Sequence, residues 1–382
     1  MLFAFAGGRG HLEPLVPLAR AAEAAGHAVA FAGRPWMASQ VEALGFASFA
    51  AGSDAGLVPA ARPLVAADVE AEMRAVGPGF GRRIARARAK DLLPLCETWR
   101  PDLVVCEELD YGAMIAAERL AIPHATVVVC GAGGFVRPAY VAPCVDEVRA
   151  AHGLPPDPEL AAPGRHRVLT PFPASYRDPA FPLPDDAQAF RTFASTADAE
   201  RDTRSDATSG RTRCVYFTLG TVFHVESGDL MERVLEGLRD VPAQIVVCVG
   251  RERDPSAFGP QPAHVRIERF VPQAQLLPHC DAVISHGGSG SVLGALTHGL
   301  PLVLLPIGAD QPLNAARCEA IGVGRVLDPL TLTPEHLRET VIRVLEDPVH
   351  RNAARQVKSE IAAMPDPDRA VTSLERVASA AR

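Results

Sequence analysis

The strongest chemical signal in this chain is Ile284-Ser285-His286-Gly287-Gly288-Ser289-Gly290-Ser291, which runs from the end of an apolar strand into the start of a helix. Its glycines and small polar residues leave backbone N–H groups open to an anion. The helix beginning at Ser291 adds its positive end, and His286 adds a side-chain donor. A diphosphate is the natural occupant. A tight glycine turn alone would account for one or two glycines, but not for the histidine and serines together. Thr218-Leu219-Gly220-Thr221 is a second strand-end turn of the same type, and the order of elements faces it toward the same phosphates. Pro306-Ile307-Gly308-Ala309-Asp310-Gln311 follows the next strand. A carboxylate beside an amide at a strand's end suits the hydroxyls of a sugar, although Asp310 would serve equally well as a helix N-cap.

The elements that must position these residues alternate strand and helix. In the first half, strands are expected over 2–6, 28–32, 46–49, 103–106 and 125–129, with helices over 14–25, 69–99 and 112–120. The second half restarts the rhythm with strands over 214–218, 245–249, 282–285, 302–305 and 324–327. Its helices are expected over 230–238, 291–297 and 312–321, and from 334 onward. Such alternation implies parallel pairing and doubly wound sheets. Residues 131–193 are Pro-rich and read as irregular, and 195–213 is a polar interdomain linker. The expected division is an acceptor-binding domain over 1–194, the linker, a donor domain over 214–350 and terminal helices over 351–382 that pack back on the first domain. Two such domains leave a cleft between the C-terminal edges of their sheets, where ligands usually bind.

Composition narrows the function classes. A chain of 382 residues exceeds one ordinary domain. Apolar residues make up 48% and aromatics only 5%, which suits buried parallel strands under Ala-rich helices. A net charge of −7 carries no nucleic-acid footprint. The run Arg82, Arg83, Arg86, Arg88, Lys90 has helical spacing and reads as a solvated face. The eight cysteines show no metal or disulfide spacing and read as small buried hydrophobes in a reducing, cytoplasmic compartment. No apolar run reaches membrane-spanning length, and the opening Leu2-Phe3-Ala4-Phe5-Ala6 is strand-like rather than a signal peptide.

Several motifs in a fixed order carry a resemblance. Phe217–Thr221, Arg269-Phe270-Val271-Pro272-Gln273, His286–Ser291 through Ala295, Gly299-Leu300-Pro301 and Pro306–Gln311 through Asn314 resemble the donor domain of GT-B, family-1 inverting glycosyltransferases, specifically the actinobacterial enzymes that decorate antibiotics. Residues 7–19, beginning Gly7-Gly8-Arg9-Gly10-His11, and Pro101-Asp102-Leu103-Val104-Val105 match as well. The resemblance implies two facing Rossmann-like domains and metal-independent sugar transfer with inversion and without a cofactor. The partners it implies are a nucleotide diphosphate sugar and a hydrophobic small-molecule acceptor. A homodimer is compatible with it. By position, Phe270, Val271 and Gln273 border the nucleobase. Thr218, Gly220, Thr221, His286, Gly288, Ser289, Gly290 and Ser291 surround the diphosphate, and Asp310 and Gln311 hold the sugar.

His11 is the candidate base, because a hydroxyl nucleophile must lose its proton as it attacks and imidazole titrates in the right range. An orienting carboxylate should contact its other nitrogen. The family pattern puts an acid after the strand 103–106, where this chain offers Glu107, Glu108 and Asp110. Glu107 is favoured, with the other two expected to be solvated or to face the acceptor. Phe135, Tyr140, Phe172 and Phe181 are candidates to line the acceptor pocket, though a hydrophobic core would use the same residues. Two departures stand out. Gly294 occupies the position where many uridine-dependent relatives carry a ribose-binding Glu, which favours a dTDP-linked donor. The few residues that usually precede the first strand are missing, which points to an initiation site upstream. Asp366-Pro367-Asp368 has metal-motif spacing but reads as a turn before the last helix. The competing readings are a hexosamine 2-epimerase, which needs no acceptor region, and a non-catalytic helper, which need not retain His11, His286, Asp310 and Gln311.

Overall fold

The computed structural model describes residues 1–53, 63–192, 212–220, 227–250 and 253–380. Among these residues, the first half forms a seven-stranded parallel sheet and the second a six-stranded parallel sheet. The first comprises β1 (Leu2–Ala4), β2 (Ala30–Gly33), β3 (Ala47–Ala50), β4 (Val104–Glu107), β5 (His124–Val127), β6 (Val168–Thr170) and β7 (Gln188–Ala189), in the order β3-β2-β1-β4-β5-β6-β7. The second comprises β8 (Cys214–Thr218), β9 (Gln244–Cys248), β10 (Val265–Glu268), β11 (Ala282–Ser285), β12 (Leu302–Leu304) and β13 (Gly324–Val326), in the order β10-β9-β8-β11-β12-β13. These are the two doubly wound domains of the GT-B class.

Strand alternation builds both faces of each sheet. Leu2 and Ala4 enter one apolar cluster while Phe3 and Phe5 enter the opposite one. Val215 and Phe217 face one side of the second sheet and Tyr216 the other. The order of strands reverses direction between β1 and β4, whose register pairs Ala4 with Cys106, and again between β8 and β11, where Thr218 pairs with Ser285. Connections leave opposite faces of the sheet at such a point, which opens a crevice at the strands' C-terminal ends.

Three features differ from expectation. The stretch 131–193 is not irregular: it contains the helix Pro138–Ala151 as well as β6 and β7. Pro138 sits in the first turn, where no amide partner is needed, and Pro143 lies inside the helix. Burial of Val141, Ala142, Cys144, Val145 and Val148 offsets the bond lost at Pro143. The strand β10 had no strong sequence signal, since only Val265 among its residues is fully buried. Arg88 is not on a solvated face; it is fully buried. Thr221 and most of the span read as the linker lie outside the described residues.

The halves meet through side-chain and backbone bonds. Arg317 donates to the carbonyls of Ser175 (2.7 Å) and Tyr176 (3.3 Å), and Glu360 accepts from Ser175 N–H (3.0 Å). The helix Pro348–Ala363 packs on the second domain through Ala354, Val357 and Ile361. The final helix, Pro367–Ala380, crosses to the first, burying Ala370, Val371 and Leu374 beside Leu15 and Leu18. Every cysteine is free, and all but the half-buried Cys214 are buried. No described helix is long and apolar enough to cross a membrane.

Candidate active site

β1 leads through a short glycine-rich turn into the helix Arg9–Leu12, which brings His11 above the end of β4. Its Nδ1 stands 3.1 Å from Glu107 Oε1, with the N–H pointing somewhat off the line between them. Glu107 is fully buried. It is held by two backbone donors, Ala6 N–H to Oε1 (3.0 Å) and Leu109 N–H to Oε2 (2.7 Å). Burial works against the imidazolium, but the charge and hydrogen bond of Glu107, helped by Asp310 and Glu108, outweigh it and leave the His11 pKa raised. Burial likewise works against the Glu107 carboxylate. His11 and the two amides win, so its pKa is lowered.

Of the other two carboxylates, Glu108 is half-buried and bound through one oxygen, whereas Asp110, contrary to expectation, is out of solvent and committed to the core. Glu108 accepts from the amides of Val129 and Cys130, and burial raises its pKa. Asp110 is fully buried, caps the helix Tyr111–Arg119 and pairs with Arg88. Arg88 also donates to the carbonyls of Ala51 (2.9 Å) and Ala32 (3.0 Å), which explains why this arginine left the surface.

Two aromatics that sequence reasoning missed flank the His11 loop. Phe80 stacks on the imidazole with centroids 5.5 Å apart. It belongs to a π-helical turn, Gly77–Ile84, where the wider winding interrupts ordinary helical spacing. Trp36, 42% exposed, lies against Gly8. The Gly-Pro-Gly-Phe-Gly run (residues 77–81) inside a helical stretch was the available signal for the first. Of the candidate acceptor aromatics, Tyr140 packs against Gly77 of the same π-helical turn. Phe135 and Phe172 are 7% and 4% exposed, Phe135 within the first domain's core and Phe172 stacked on Tyr176 in a cluster shared with the second domain. Tyr140 donates to Glu70 (2.9 Å), and Phe181 lies under the guanidinium of Arg137.

Across the cleft, the ends of β8 and β11 repeat one turn. Thr218 Oγ1 accepts from Gly220 N–H (3.1 Å), and Ser285 Oγ from Gly287 N–H (3.2 Å). The His286 ring is clasped between glycines. A Cβ on Gly220 would fall 2.5 Å from its Cε1, and one on Gly288 2.5 Å from its Nε2. Burial lowers the His286 pKa to about 4, against a hydrogen bond with the Thr218 backbone, so this ring is neutral near pH 7 and carries one N–H rather than a charge. The helix runs Ser289–Thr297, with Gly288 as its N-cap and open space beside Gly290. Ser291 is half-buried on its first turn.

Farther along the rim, Phe270 lies under the guanidinium of Arg9, 5.4 Å from the ring centre, so a first-domain cation reaches the second domain. Val271 packs at the edge of the apolar cluster that includes Leu276 and Leu293. Gln273 begins the helix Gln273–Leu276 and lies against Gly294, where a Cβ would be 3.1 Å from its Oε1. Gln311 Oε1 accepts from Ile307 N–H (2.8 Å) and Gly308 N–H (3.2 Å), so it braces its own loop. Asp310 Oδ2 accepts from Ser289 Oγ (2.8 Å) and Asn314 Nδ2 (2.8 Å). Burial raises the Asp310 pKa, although these bonds and the charge of His11 pull the other way. His11 and Asp310 lie near enough for the charge of each to favour the charged form of the other. No group of three metal-ligating side chains occurs among the described residues.

The chain is similar over its length to known proteins. Residues 232–377 match the family profile described as Erythromycin biosynthesis protein CIII-like, C-terminal domain. Tylactone mycaminosyltransferase of Streptomyces fradiae is 30% identical over 416 aligned residues, spanning 96% of this chain and 90% of the relative. The 3-alpha-mycarosylerythronolide B desosaminyl transferase of Saccharopolyspora erythraea is 29% identical, spanning 100% and 99%. Among solved structures, the glycosyltransferase VinC in complex with dTDP superposes with a TM-score of 0.75 at 25% identity, covering 99% of both chains.

Proposed function

This chain belongs to the antibiotic-biosynthesis glycosyltransferases, enzymes that act on natural-product aglycones with nucleotide sugars, and on that premise we propose inverting, metal-independent transfer from a dTDP-linked sugar to an acceptor hydroxyl. The observation that carries the reading is the His11–Glu107 pair at one sheet's crossover, in a domain whose Gly131 and Ala132 amides bond Ser289 and Asn314 beside Asp310 at the other's. With the Glu107 carboxylate beside Nδ1 favouring the proton there, the imidazole presents Nε2 as the proton acceptor. The acceptor oxygen attacks C1 as its proton passes to Nε2, and the bond from C1 to the diphosphate oxygen breaks. One displacement at C1 inverts its configuration.

Charge develops on the departing diphosphate. The open amides at the start of the helix Ser289–Thr297, that helix's positive end and the neutral His286 N–H meet it without a metal ion. On this reading Asp310 orients the sugar, and Phe270, Val271 and Gln273 border the base. The acceptor's apolar body would enter on the His11 side, where Phe80 and Trp36 offer aromatic surface. The dTDP preference rests on Gly294, and the dTDP complex of the VinC structure is consistent with it. A thermal-shift panel of nucleotide sugars tests the proposal, since a ligand bound only by the folded state raises Tm. A larger shift with dTDP-sugars supports it; no shift with any nucleotide sugar would overturn it.

A further inference from the structure

The loop after β5 offers four consecutive backbone N–H groups, of which the first two bond within the first domain and the next two across to the second. Val129 and Cys130 donate to Glu108 Oε1, the residue next to Glu107. Gly131 donates to Ser289 Oγ (3.0 Å) and Ala132 to Asn314 Oδ1 (3.2 Å), both across the cleft. Asn314 is fully buried at 1% exposure. Its amide nitrogen shares two hydrogens among Gly287 O (3.0 Å), Ser289 Oγ (3.0 Å) and Asp310 Oδ2 (2.8 Å). Acceptors surround the nitrogen and a donor faces the oxygen, so the network itself fixes the amide's orientation.

We propose that Asn314 is a positioning residue that registers the Asp310 carboxylate and the His286–Ser289 loop against the acceptor domain, through a strut formed by residues 129–132. The strut begins beside the Glu107 that holds His11 and ends on the helix that carries Asp310, so it sets how far the base stands from the sugar. Asn314 contacts neither reacting group; it acts through Asp310 and Ala132. Reacting atoms misplaced by about 1 Å can cost on the order of 10²-fold in rate. The diphosphate site lies on the second domain's own loop and helix. Losing the strut should therefore impair turnover far more than donor binding. This inference rests on the proposed function for its kinetic arm only.

The test compares wild type with Asn314→Ala and Asn314→Asp, the latter keeping an oxygen to accept from Ala132 N–H. Amide exchange of the peptide 129–133 should quicken at least about tenfold in Asn314→Ala and by less in Asn314→Asp, whose second oxygen must hold a proton to face Asp310 Oδ2. Release of dTDP from dTDP-glucose, with 4-methylumbelliferone as acceptor probe, should show kcat down roughly 10–10²-fold in Asn314→Ala, while the Kd for dTDP, which also feels the lost bonds to Gly287 and Ser289, rises by a clearly smaller factor. Unchanged exchange in Asn314→Ala, or affinity lost in step with kcat, would overturn the strut. If Asn314→Ala does not fold, Ser289→Ala removes the acceptor of Gly131 N–H and carries the same exchange measurement. A wild-type protein that neither binds dTDP nor turns over would defeat the proposed function instead, and amide exchange would still decide the strut.

Discussion

His11 Nδ1 and Glu107 Oε1 lie 3.1 Å apart although 96 positions separate them in the chain, because β1 and β4 are parallel neighbours at the point where strand order reverses. His11→Ala should lower kcat roughly 10²–10⁴-fold, the usual worth of a general base, with donor affinity nearly unchanged. Glu107→Gln should lower it less. A loss under about threefold for His11→Ala with an unactivated hydroxyl acceptor would remove the histidine from that role.

The pH profile follows from the same pair. A raised pKa keeps the imidazole protonated, and so unable to accept a proton, to higher pH than for a free histidine. The kcat/KM of the wild type should therefore climb through an inflection above 6.5 and then level off. Glu107→Gln removes the main raising influence while burial remains, so the inflection should move down. An inflection that stays in place in that variant would separate Glu107 from the titration.

Gly220 and Gly288 leave His286 no room for a methyl group on either side. Gly288→Ala should displace the ring and weaken dTDP binding by about tenfold, the equivalent of one good hydrogen bond. Gly220→Ala should also lower Tm, because φ at Gly220 is +74° and an L side chain there is strained. Calorimetric titration with dTDP checks both; wild-type affinity in Gly288→Ala would take His286 out of the site.

If helix and amide donors meet the departing diphosphate as proposed, chelation should leave turnover within about twofold. Asp366 of the Asp366-Pro367-Asp368 sequence pairs with Arg191 at the start of the last helix, away from the cleft. Dialysis against EDTA followed by assay with and without added Mg²⁺ decides the point, and strict dependence on the added ion would contradict it.

Native enzyme should use dTDP-glucose better than UDP-glucose by about one to two powers of ten in kcat/KM, the cost of leaving a ribose 2′-hydroxyl unpaired. Gly294→Glu should narrow that gap. Because Gln273 Oε1 and Leu277 Cδ1 would each lie 3.1 Å from a Cβ at 294, the new side chain must push Gln273 aside and should cost some thermal stability. Equal use of both donors by the native protein would sink the idea.

Local sequence determined the alternation of strand and helix, the parallel sheets, and the glycine, serine and histidine turns at the ends of β8 and β11. Each of these is written within a few consecutive residues, whose apolar runs and turn chemistry do not depend on distant partners. Tertiary structure decided the rest. Glu107, Glu108 and Asp110 look alike in sequence, yet one meets His11, one caps two amides of the next strand's loop and one pairs with Arg88. Successive residues at a strand's end point in different directions, and what each meets comes from elsewhere in the chain. The same holds for the aromatics. Phe135 and Phe172 became core, while Phe80 reached the candidate base through a π-turn that no helical period announces. Asn314 is one more polar residue on an amphipathic helix until the second domain docks, when its amide finds the Ala132 N–H of the first.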